Sequence, residues 1–302
     1  MNTKQAEYLL AIAREGSITV AAKKLYISQP SLSQTLKQIE DDLGVTIFQR
    51  DTIPYKVTYA GEQCLEAARS ILRVHDHLNY ELNQIKGQKQ GHLRLGISVQ
   101  RSMQIIPQIF PIFIQRYPDV TIELTEVGSA ALEELIISDE LDLALAAIEA
   151  KSPLLTYELI EKETIGILAG KNSSLPRKKK ENHPLTMKDL MDESFVSLRS
   201  GHSVRVIQDQ MFHDYGLSPR IILETDSFEV ARRVTLASDA CMFCSDILVD
   251  GYASENGIFY PLPEYDNRRH FYACYRTDAF LPQYAKDLIN ITRNIINTKN
   301  NQ

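Results

Sequence analysis

The chain has 302 residues, too long for one typical hydrophobic core, and this length indicates two or three domains. Its hydrophobic content of 44% and charged content of 24% are ordinary for a globular protein. The net charge of −6 excludes a uniformly basic chain, although residues 1–90 hold 11 basic and 10 acidic side chains and carry +1. The acidity therefore lies in the C-terminal part.

Two short helical patterns open the chain. Apolar residues at positions 8, 9, 12 and 13 predict a helix that ends at Gly16, a residue type that commonly closes helices. A second helix follows, and its small residues Ala21 and Ala22 allow another helix to cross closely. Tyr26 and Ile27 are expected to fill the turn after it.

Residues 28–40 predict the second helix of a helix-turn-helix. Ser28 is a good N-cap, and Pro30 is tolerated in the first turn. Leu32, Leu36 and Ile39 recur at helical spacing and bury one stripe, so the opposite face offers short polar groups that can read base edges in a major groove. The candidate DNA-contacting residues of this helix are Ser28, Gln29, Pro30, Ser31, Ser33, Gln34 and Lys37. An ordinary helical hairpin inside an enzyme is the alternative.

A small β-wing is predicted after this helix. Gly44 ends the helix, residues 45–50 are extended, residues 51–54 make a turn and residues 55–58 return. Arg50 and Lys56 are then placed to contact phosphate oxygens.

The order of these features, with the strings Ser-Gln-Pro-Ser-Leu-Ser, Leu-Gly and Phe-Gln-Arg, resembles the DNA-binding domain of the LysR-type transcriptional regulators. The resemblance covers residues 1–62 without a gap. It implies a sequence-specific regulator of transcription with a winged helix-turn-helix over residues 1–60, which binds double-stranded promoter DNA. In this family a long linker helix makes the dimer, and tetramers form through the C-terminal domains.

One long helix is predicted from Thr58 to about Lys89, and residues 61–90 are interpreted as a linker and dimerisation segment with a hinge over 84–91. Its residues at 4-3-4-3 spacing form a coiled-coil seam: Cys64, Ala68, Ile71, His75, Leu78, Leu82 and Ile85. Two such helices would hold two recognition helices at a fixed distance. His75 is the polar member, which we interpret as setting the register, with pH sensing as the alternative.

Residues 91–302 alternate predicted strands and helices. Strands over 92–98, 120–126 and 141–146 are separated by helices over 103–117 and 130–137, which indicates a parallel, doubly wound sheet. The strings Leu-Arg-Leu-Gly-Ile and Arg-Tyr-Pro-Asp-Val again resemble LysR-type regulators. The resemblance implies an α+β multi-domain protein whose effector domain has two α/β lobes joined by two crossing strands, like type 2 periplasmic binding proteins. Lobe I would be about 91–161 and 267–302, and lobe II about 162–266; the basic run 177–180 is interpreted as a solvated loop.

Open parallel sheets bind ligands beyond the carboxyl ends of their strands, where helix N-termini favour anions. The candidate effector-binding residues at these positions are Ser98, Arg101, Ser102 and Ser129 in lobe I, and Arg199, Ser200 and His202 in lobe II. The serines could equally cap helices, and Arg101 could form only a surface ion pair. We expect a small-molecule effector, with an anionic metabolite preferred.

Cys241 and Cys244 could suggest a redox or metal site, but residues three apart in a strand point to opposite faces. We therefore interpret them as buried structural thiols and expect no metal and no cofactor. The sequence contains no nucleophile elbow, P-loop or dinucleotide-binding fingerprint, so we predict a regulator and not an enzyme. The alternatives are an α/β enzyme or solute-binding protein with a helical extension, and a regulator whose sensor domain serves only oligomerisation.

The sequence shows neither a stretch of about 18 apolar residues nor a signal-peptide pattern. We therefore expect a cytoplasmic protein with no membrane partner.

Overall fold

The structure is a computed structural model that describes residues 1–85, 90–175, 184–249, 251–263 and 269–300. The chain divides into two compact units, Met1–Lys89 and Gln90–Gln302. The expected hinge over 84–91 falls partly outside the described residues. The basic run 177–180 and the lobe boundary at residue 267 fall wholly outside them. Within the described ranges no helix is long and apolar enough to cross a membrane.

The N-terminal unit is a helix-turn-helix followed by a two-stranded wing and a long helix, as the sequence predicted. Its elements are α1 (Thr3–Glu15), α2 (Ile18–Lys24), α3 (Gln29–Leu43), β1 (Phe48–Gln49), β2 (Lys56–Val57) and α4 (Tyr59–Ile85). Helix α1 ends at Gly16 and α3 ends at Gly44, both in the left-handed backbone region with φ of 59° and 67°. Helix α3 begins at Ser28, whose Oγ accepts a hydrogen bond from the Ser31 N–H at 3.3 Å.

The core of this unit is the stripe of α3 packed against α1. Leu32, Leu36 and Ile39 are buried together with Leu9 and Ile12. The expectation that Tyr26 fills the turn is wrong, because its side chain is 95% exposed. Tyr26 has a positive φ of 55°, and at this sharp backbone turn its side chain faces outwards. The neighbouring Ile27 packs on the core as expected.

Helix α4 begins inside this core and continues beyond it. A Cβ atom on Gly61 would overlap the carbonyl oxygen of Ile47, so only glycine permits this close passage of α4 behind the wing. At the start of the predicted coiled-coil seam, Cys64 packs against the core of the unit and Ala68 is already buried within one chain. Later seam residues are open to solvent, with Leu78 55% and Leu82 42% exposed.

The C-terminal unit contains two five-stranded sheets with helices packed on them. Its elements are β3 (Gly91–Ile97), α5 (Val99–Arg116), β4 (Val120–Glu126), α6 (Ser129–Ile137), β5 (Leu143–Glu149), β6 (Leu155–Glu161), β7 (Ile165–Gly170), β8 (Ser194–Leu198), α7 (Ser203–Asp214), β9 (Arg220–Thr225), α8 (Phe228–Ala237), β10 (Cys241–Ser245), α9 (Gly251–Asn256), β11 (Gly257–Pro261), β12 (Arg269–Arg276) and α10 (Gln283–Asn300). The first sheet has the order β4-β3-β5-β12-β6, and we name its part of the unit lobe I. The second has the order β11-β7-β10-β8-β9 and belongs to lobe II.

The parallel pairing predicted for the first three strands of this unit is confirmed, although each complete sheet is mixed. Strand β3 pairs in parallel with β4 and β5, and β8 pairs in parallel with β9 and β10. Strand β12 is antiparallel to β5 and β6, and β7 is antiparallel to β10 and β11. The reason is the path of the chain between the lobes. Strands β6 and β7 carry the chain from lobe I to lobe II, and β11 and β12 carry it back. The outgoing and returning strands of each lobe, β6 with β12 and β7 with β11, are neighbours and therefore run in opposite directions.

Three of the four cysteines lie in the strands of this unit. Cys241 and Cys244 in β10 and Cys274 in β12 are buried thiols. Burial in apolar surroundings raises the pKa of the Cys244 and Cys274 thiols, which keeps them protonated and unreactive. The fourth, Cys64 in α4, is half-buried, and desolvation raises its pKa as well.

We expect native protein to expose at most one of its four thiols to a charged disulfide reagent at mildly alkaline pH, and that thiol is Cys64. All four should react after unfolding in guanidinium chloride. Spectrophotometric titration with Ellman's reagent measures both numbers, and Cys64→Ser should remove the native reaction. Rapid reaction of two or more thiols in the native wild-type protein, or of any thiol in native Cys64→Ser, would contradict the buried placement of β10 and β12.

Candidate functional site

The outer face of α3 presents polar side chains to solvent. Ser33 is half-buried, and the other candidate residues of this helix are exposed: Ser28, Gln29, Pro30, Ser31, Gln34 and Lys37. The first turn of α3 contains no acidic residue, so a phosphate backbone would meet no repulsion there. The face therefore combines an uncharged helix start with one cation a turn further on.

Glu40 joins α3 to the wing. Its carboxylate accepts hydrogen bonds from the backbone N–H groups of Ile47 at 2.7 Å and Phe48 at 3.3 Å, and it also pairs with the Arg50 guanidinium. Arg50 thus has a partner inside the domain. Lys56 on β2 is exposed and has no ion-pair partner among the described residues. Of the two wing cations, Lys56 is the more available to a phosphate group.

The tip of the wing is also held against the helices. The Tyr55 N–H donates to the Gly16 carbonyl oxygen at 2.8 Å, and a Cβ atom on Gly16 would clash with Pro54. Gly16 therefore ends α1 and also forms the surface against which the wing turn packs. Together with Glu40, this contact fixes the wing relative to α3.

Glu40→Ala should lower the local free energy of unfolding of the wing by about 1–3 kcal/mol, because two backbone N–H groups lose their acceptor. Glu40→Gln keeps an acceptor oxygen and should lose less. The measurement is amide hydrogen exchange at Ile47 and Phe48 in the full chain. Asp41→Ala is the matched control, since it removes an exposed carboxylate one residue away and should change this free energy by less than about 0.5 kcal/mol. Equal exchange in Glu40→Ala and Asp41→Ala would show that Glu40 does not hold the wing.

A cleft lies between the two lobes of the C-terminal unit, with a volume of about 50 Å³. Among the residues singled out from the sequence, four line it: Ser98, Arg101, Ser129 and His202. The remaining three lie elsewhere. Ser102 is buried in α5, Ser200 is exposed, and Arg199 is 61% exposed and pairs with Asp226 at 3.1 Å. This volume holds only a few water molecules.

Other lining residues were not singled out from the sequence as ligand contacts. They include Gln100, Glu163, Ser203, Val204, Phe228 and Ser245. Ser203 directly follows His202 and is the first residue of α7. Glu163 lies in the segment that crosses between the lobes, where no local pattern marks a site. The larger apolar lining residues, Leu198, Val204, Phe228 and Leu248, come from lobe II.

Three helices begin at the cleft. Ser98, Gly128 and His202 are the N-cap residues of α5, α6 and α7, and the structure shows no side-chain cap hydrogen bond at any of the three among the described residues. Helices α1, α3 and α8 of the same chain carry side-chain caps, whereas α2, in the N-terminal unit, does not. The N–H groups of a first helical turn have no acceptor within the helix. The cleft therefore gathers backbone donors from three helices at one place.

Two glycines bring the lobes close together at one edge of the cleft. A Cβ atom on Gly128 of lobe I would lie 3.4 Å from the carbonyl oxygen of Gly201 in lobe II. Gly201 has a φ of +101°, a conformation that other residues rarely adopt. A larger residue at position 201 would therefore strain the loop that brings His202 to the cleft.

Arg101 does not form the surface ion pair that the sequence left open, because it is buried. Its side chain is 4% exposed, and its guanidinium pairs with Glu161 at 3.3 Å and with Glu163 at close distance. The guanidinium also lies 4.3 Å from the centre of the Phe271 ring. Arg101 thus belongs to a charge cluster that this chain supplies by itself.

No group of three histidine, cysteine, aspartate or glutamate side chains in the described ranges could hold a metal ion. The arrangement is one of binding surfaces: a polar helix face suited to a DNA groove, and an interlobe cleft suited to a small ligand. The fold and these two surfaces define the class of ligand-responsive, DNA-binding regulators.

Sequence comparison identifies the family. Residues 3–62 match the family described as bacterial regulatory helix-turn-helix protein, lysR family, and residues 86–295 match the LysR substrate binding domain. The chain belongs to the LysR family of transcriptional regulators, which confirms the resemblance seen in the sequence. It carries a DNA-binding helix-turn-helix domain and an effector-binding domain.

Relatives of known name are transcriptional regulators. The chain is 28% identical to the HTH-type transcriptional regulator BsdA of Bacillus subtilis over 302 residues, which cover 96% of this chain and 100% of that protein. It is 27% identical to the regulator CbbR of Rhodospirillum rubrum over 234 residues, 78% of this chain and 76% of CbbR. The prediction of a regulator and not an enzyme is therefore confirmed.

Solved structures share the fold. A full-length OxyR variant from Pseudomonas aeruginosa has a TM-score of 0.71 at 19% identity and covers 97% of this chain and 95% of that one. Full-length CbnR in complex with its target DNA has a TM-score of 0.55 at 20% identity, covering 97% of this chain and 99% of CbnR.

Proposed function

We propose that this regulator acts as a homo-oligomer whose binding to promoter DNA responds to a small anionic ligand in the interlobe cleft. The observation that carries the proposal is the convergence of three helix starts without side-chain caps on one cleft. Backbone N–H groups at helix starts attract anions, and the hydroxyls of Ser98 and Ser129 add donors beside them. Since its target is promoter DNA, we place the regulator in the cytoplasm.

A ligand can act only through a difference in affinity between two states of the protein. In this structure the cleft has room for a few water molecules, so a ligand-bound form differs in the separation of the lobes. A ligand present at about 100 times its dissociation constant for the preferred state would stabilise that state by about 2.7 kcal/mol. This is enough to shift the balance between two states that differ by a similar amount.

The proposed DNA contacts are the exposed face of α3 and the wing. Gln34 and the serines of α3 offer hydrogen bonds to base edges, whereas Lys37 and Lys56 offer charge to phosphates. Arg50 stays within this proposed contact set, with Glu40 as its partner in the protein without DNA. Specificity would then come from α3 and from pairing of two half-sites.

The proposed dimer forms through the second half of α4. Leu78 and Leu82 are exposed there at seam spacing, and burial of such residues against a second copy is favourable. Tetramers through the C-terminal units, as in the family resemblance, complete the proposed assembly.

Footprinting on the DNA upstream of the regulator's own gene tests the whole proposal. We expect protection of two dyad-related half-sites about one helical turn, or a multiple of it, apart, and a changed footprint when the correct anionic metabolite is added. Ser98→Phe should fill the cleft, keep the protection and lose the response to the metabolite, whereas Ser98→Ala should keep the protection and require a higher metabolite concentration for the same response, because it removes only one donor. Protection that never responds to any metabolite would limit the C-terminal unit to oligomerisation.

Gln34→Ala should weaken binding to the specific site by about 1–3 kcal/mol and relax the base preference at one position. Lys37→Ala should instead weaken binding to all sequences and reduce the slope of the salt dependence by about 1. Fluorescence anisotropy with specific and scrambled duplexes over a range of salt concentrations separates the two effects. The matched control is Gln38→Ala, since Gln38 lies on the same helix but donates to Asp42 at 2.7 Å. A Gln34→Ala variant with unchanged base preference would place the reading face elsewhere.

Leu78→Asp and Leu82→Asp should dissociate the oligomer that α4 forms, because each places a charge into an apolar seam. Sedimentation velocity of the full chain measures the change. Asn79→Asp is the control, since it adds the same charge to the same helix outside the seam. If the Leu78→Asp and Leu82→Asp proteins sediment as wild type, α4 is not the dimer interface.

A further inference from the structure

The cleft contains an arginine whose charge is already paired with carboxylates of the same chain. Arg101 lines the cleft, yet its guanidinium pairs with Glu161 and Glu163 and lies against the Phe271 ring. The side chains of these three charged residues are 4%, 8% and 1% exposed. The only arginine seen lining the cleft among the described residues is therefore neutralised from within the chain.

An anionic ligand gains little from such an arginine. To bind Arg101, a ligand carboxylate would have to displace Glu163 and leave that carboxylate buried beside a second negative charge. Breaking a buried ion pair without restoring it is strongly unfavourable. Arg101 and Glu163 thus form a corner of the cleft that repels anions, although the starts of α5, α6 and α7 attract them.

Glu163 lies in the crossing segment between β6 and β7, which is hydrogen-bonded to β12 and to lobe II. Its own N–H donates to His270 Nδ1 at 3.4 Å. The next residue, Thr164, is fixed to lobe II, because its N–H donates to Asp246 Oδ1 at 2.9 Å and its carbonyl oxygen accepts from the Asp246 N–H at 2.9 Å. The Glu163 carboxylate therefore lines the cleft at a defined position, and a carboxylate has lone pairs for more than one donor.

We propose that Glu163 is a specificity-determining residue and that the ligand is a small zwitterion, with one carboxylate and one ammonium group. The carboxylate binds the helix starts, and the ammonium faces Glu163. This inference rests on the proposed function of the cleft as a ligand site. It goes beyond that function because it assigns the second end of the ligand and gives the reason why Arg101 is not the anion receptor.

Three probes with a common carboxylate test the proposal: glycine, propionate and malonate. Each has a CH₂ group that joins the carboxylate to a second group, which is cationic, apolar or anionic. Their affinities for the full-length protein are measured by ligand-observed NMR titration at neutral pH and constant ionic strength. For the wild-type protein we expect glycine to bind more tightly than propionate and propionate more tightly than malonate.

Glu163→Gln should reverse this order. The affinity for malonate should rise, and the affinity for glycine should fall, by about tenfold or more relative to propionate. This is the effect expected from removing one charge a few ångströms from the ligand at a protein-like dielectric constant. The matched control is Glu161→Gln, which removes the same charge from the same arginine, although Glu161 does not line the cleft among the residues that the structure places there. Glu161→Gln should keep the wild-type order. Reversal in both variants would assign the selectivity to the charge balance of Arg101 and overturn the role of Glu163.

The wild-type protein alone can also overturn the proposal, if Glu163→Gln does not fold. Malonate binding as tightly as glycine would contradict a carboxylate that repels anions at this corner. Ser98→Phe should abolish binding of all three probes, which locates them in the cleft. Propionate binding with no preference between glycine and malonate would refute the specificity of Glu163 and leave the proposed function standing. Binding of none of the three would refute both.

Discussion

The structure of the C-terminal unit depends on one constraint, which is that the chain passes between the two lobes twice. It leaves lobe I through β6, enters lobe II through β7, and returns through β11 and β12. Strands that carry the chain in opposite directions can be neighbours only as antiparallel pairs, and each sheet is therefore mixed. The parallel strands β3, β5, β8 and β10 keep their carboxyl ends towards the space between the lobes. For this reason, helices that follow such strands, α5 and α7 among them, begin at the cleft, and backbone donors collect there without any charged residue being required.

Local patterns were sufficient for the N-terminal unit. The stripe of Leu32, Leu36 and Ile39, the cap at Ser28 and the end at Gly44 each depend on residues within one or two turns, and all three are present as predicted. Tyr26 was assigned wrongly because its outward direction follows from a positive φ, which the residue type does not signal. The hydrogen bonds between Glu40 and the wing were also not predicted. The Glu40 carboxylate accepts from backbone N–H groups seven and eight residues away, and the side-chain pattern of a sequence does not show which backbone groups need a partner.

The cleft could be predicted only in part, and the reason is again the range of the interactions. Ser98, Ser129 and His202 follow from a general rule about the carboxyl ends of parallel strands, which needs only the order of the elements. Arg101 was recognised as a candidate, but its partners Glu161 and Glu163 lie about sixty residues further along the chain. The same limit explains Arg199. It is near the cleft in sequence, but the loop directs it to Asp226 on the surface.

The short connection between β6 and β7 restricts how a ligand can act on the effector domain. Residues 162–164 are the whole connection, and both of its ends are held, by Arg101 on one side and by Asp246 on the other. A connection this short is suited to a hinge about which the two lobes rotate as rigid bodies. A ligand that contacts the helix starts and Glu163 touches both lobes and this connection at once. In the proposed mode of binding, the binding energy of the ligand would therefore depend on the angle between the lobes, and this dependence would supply the differential affinity that a ligand-responsive regulator requires.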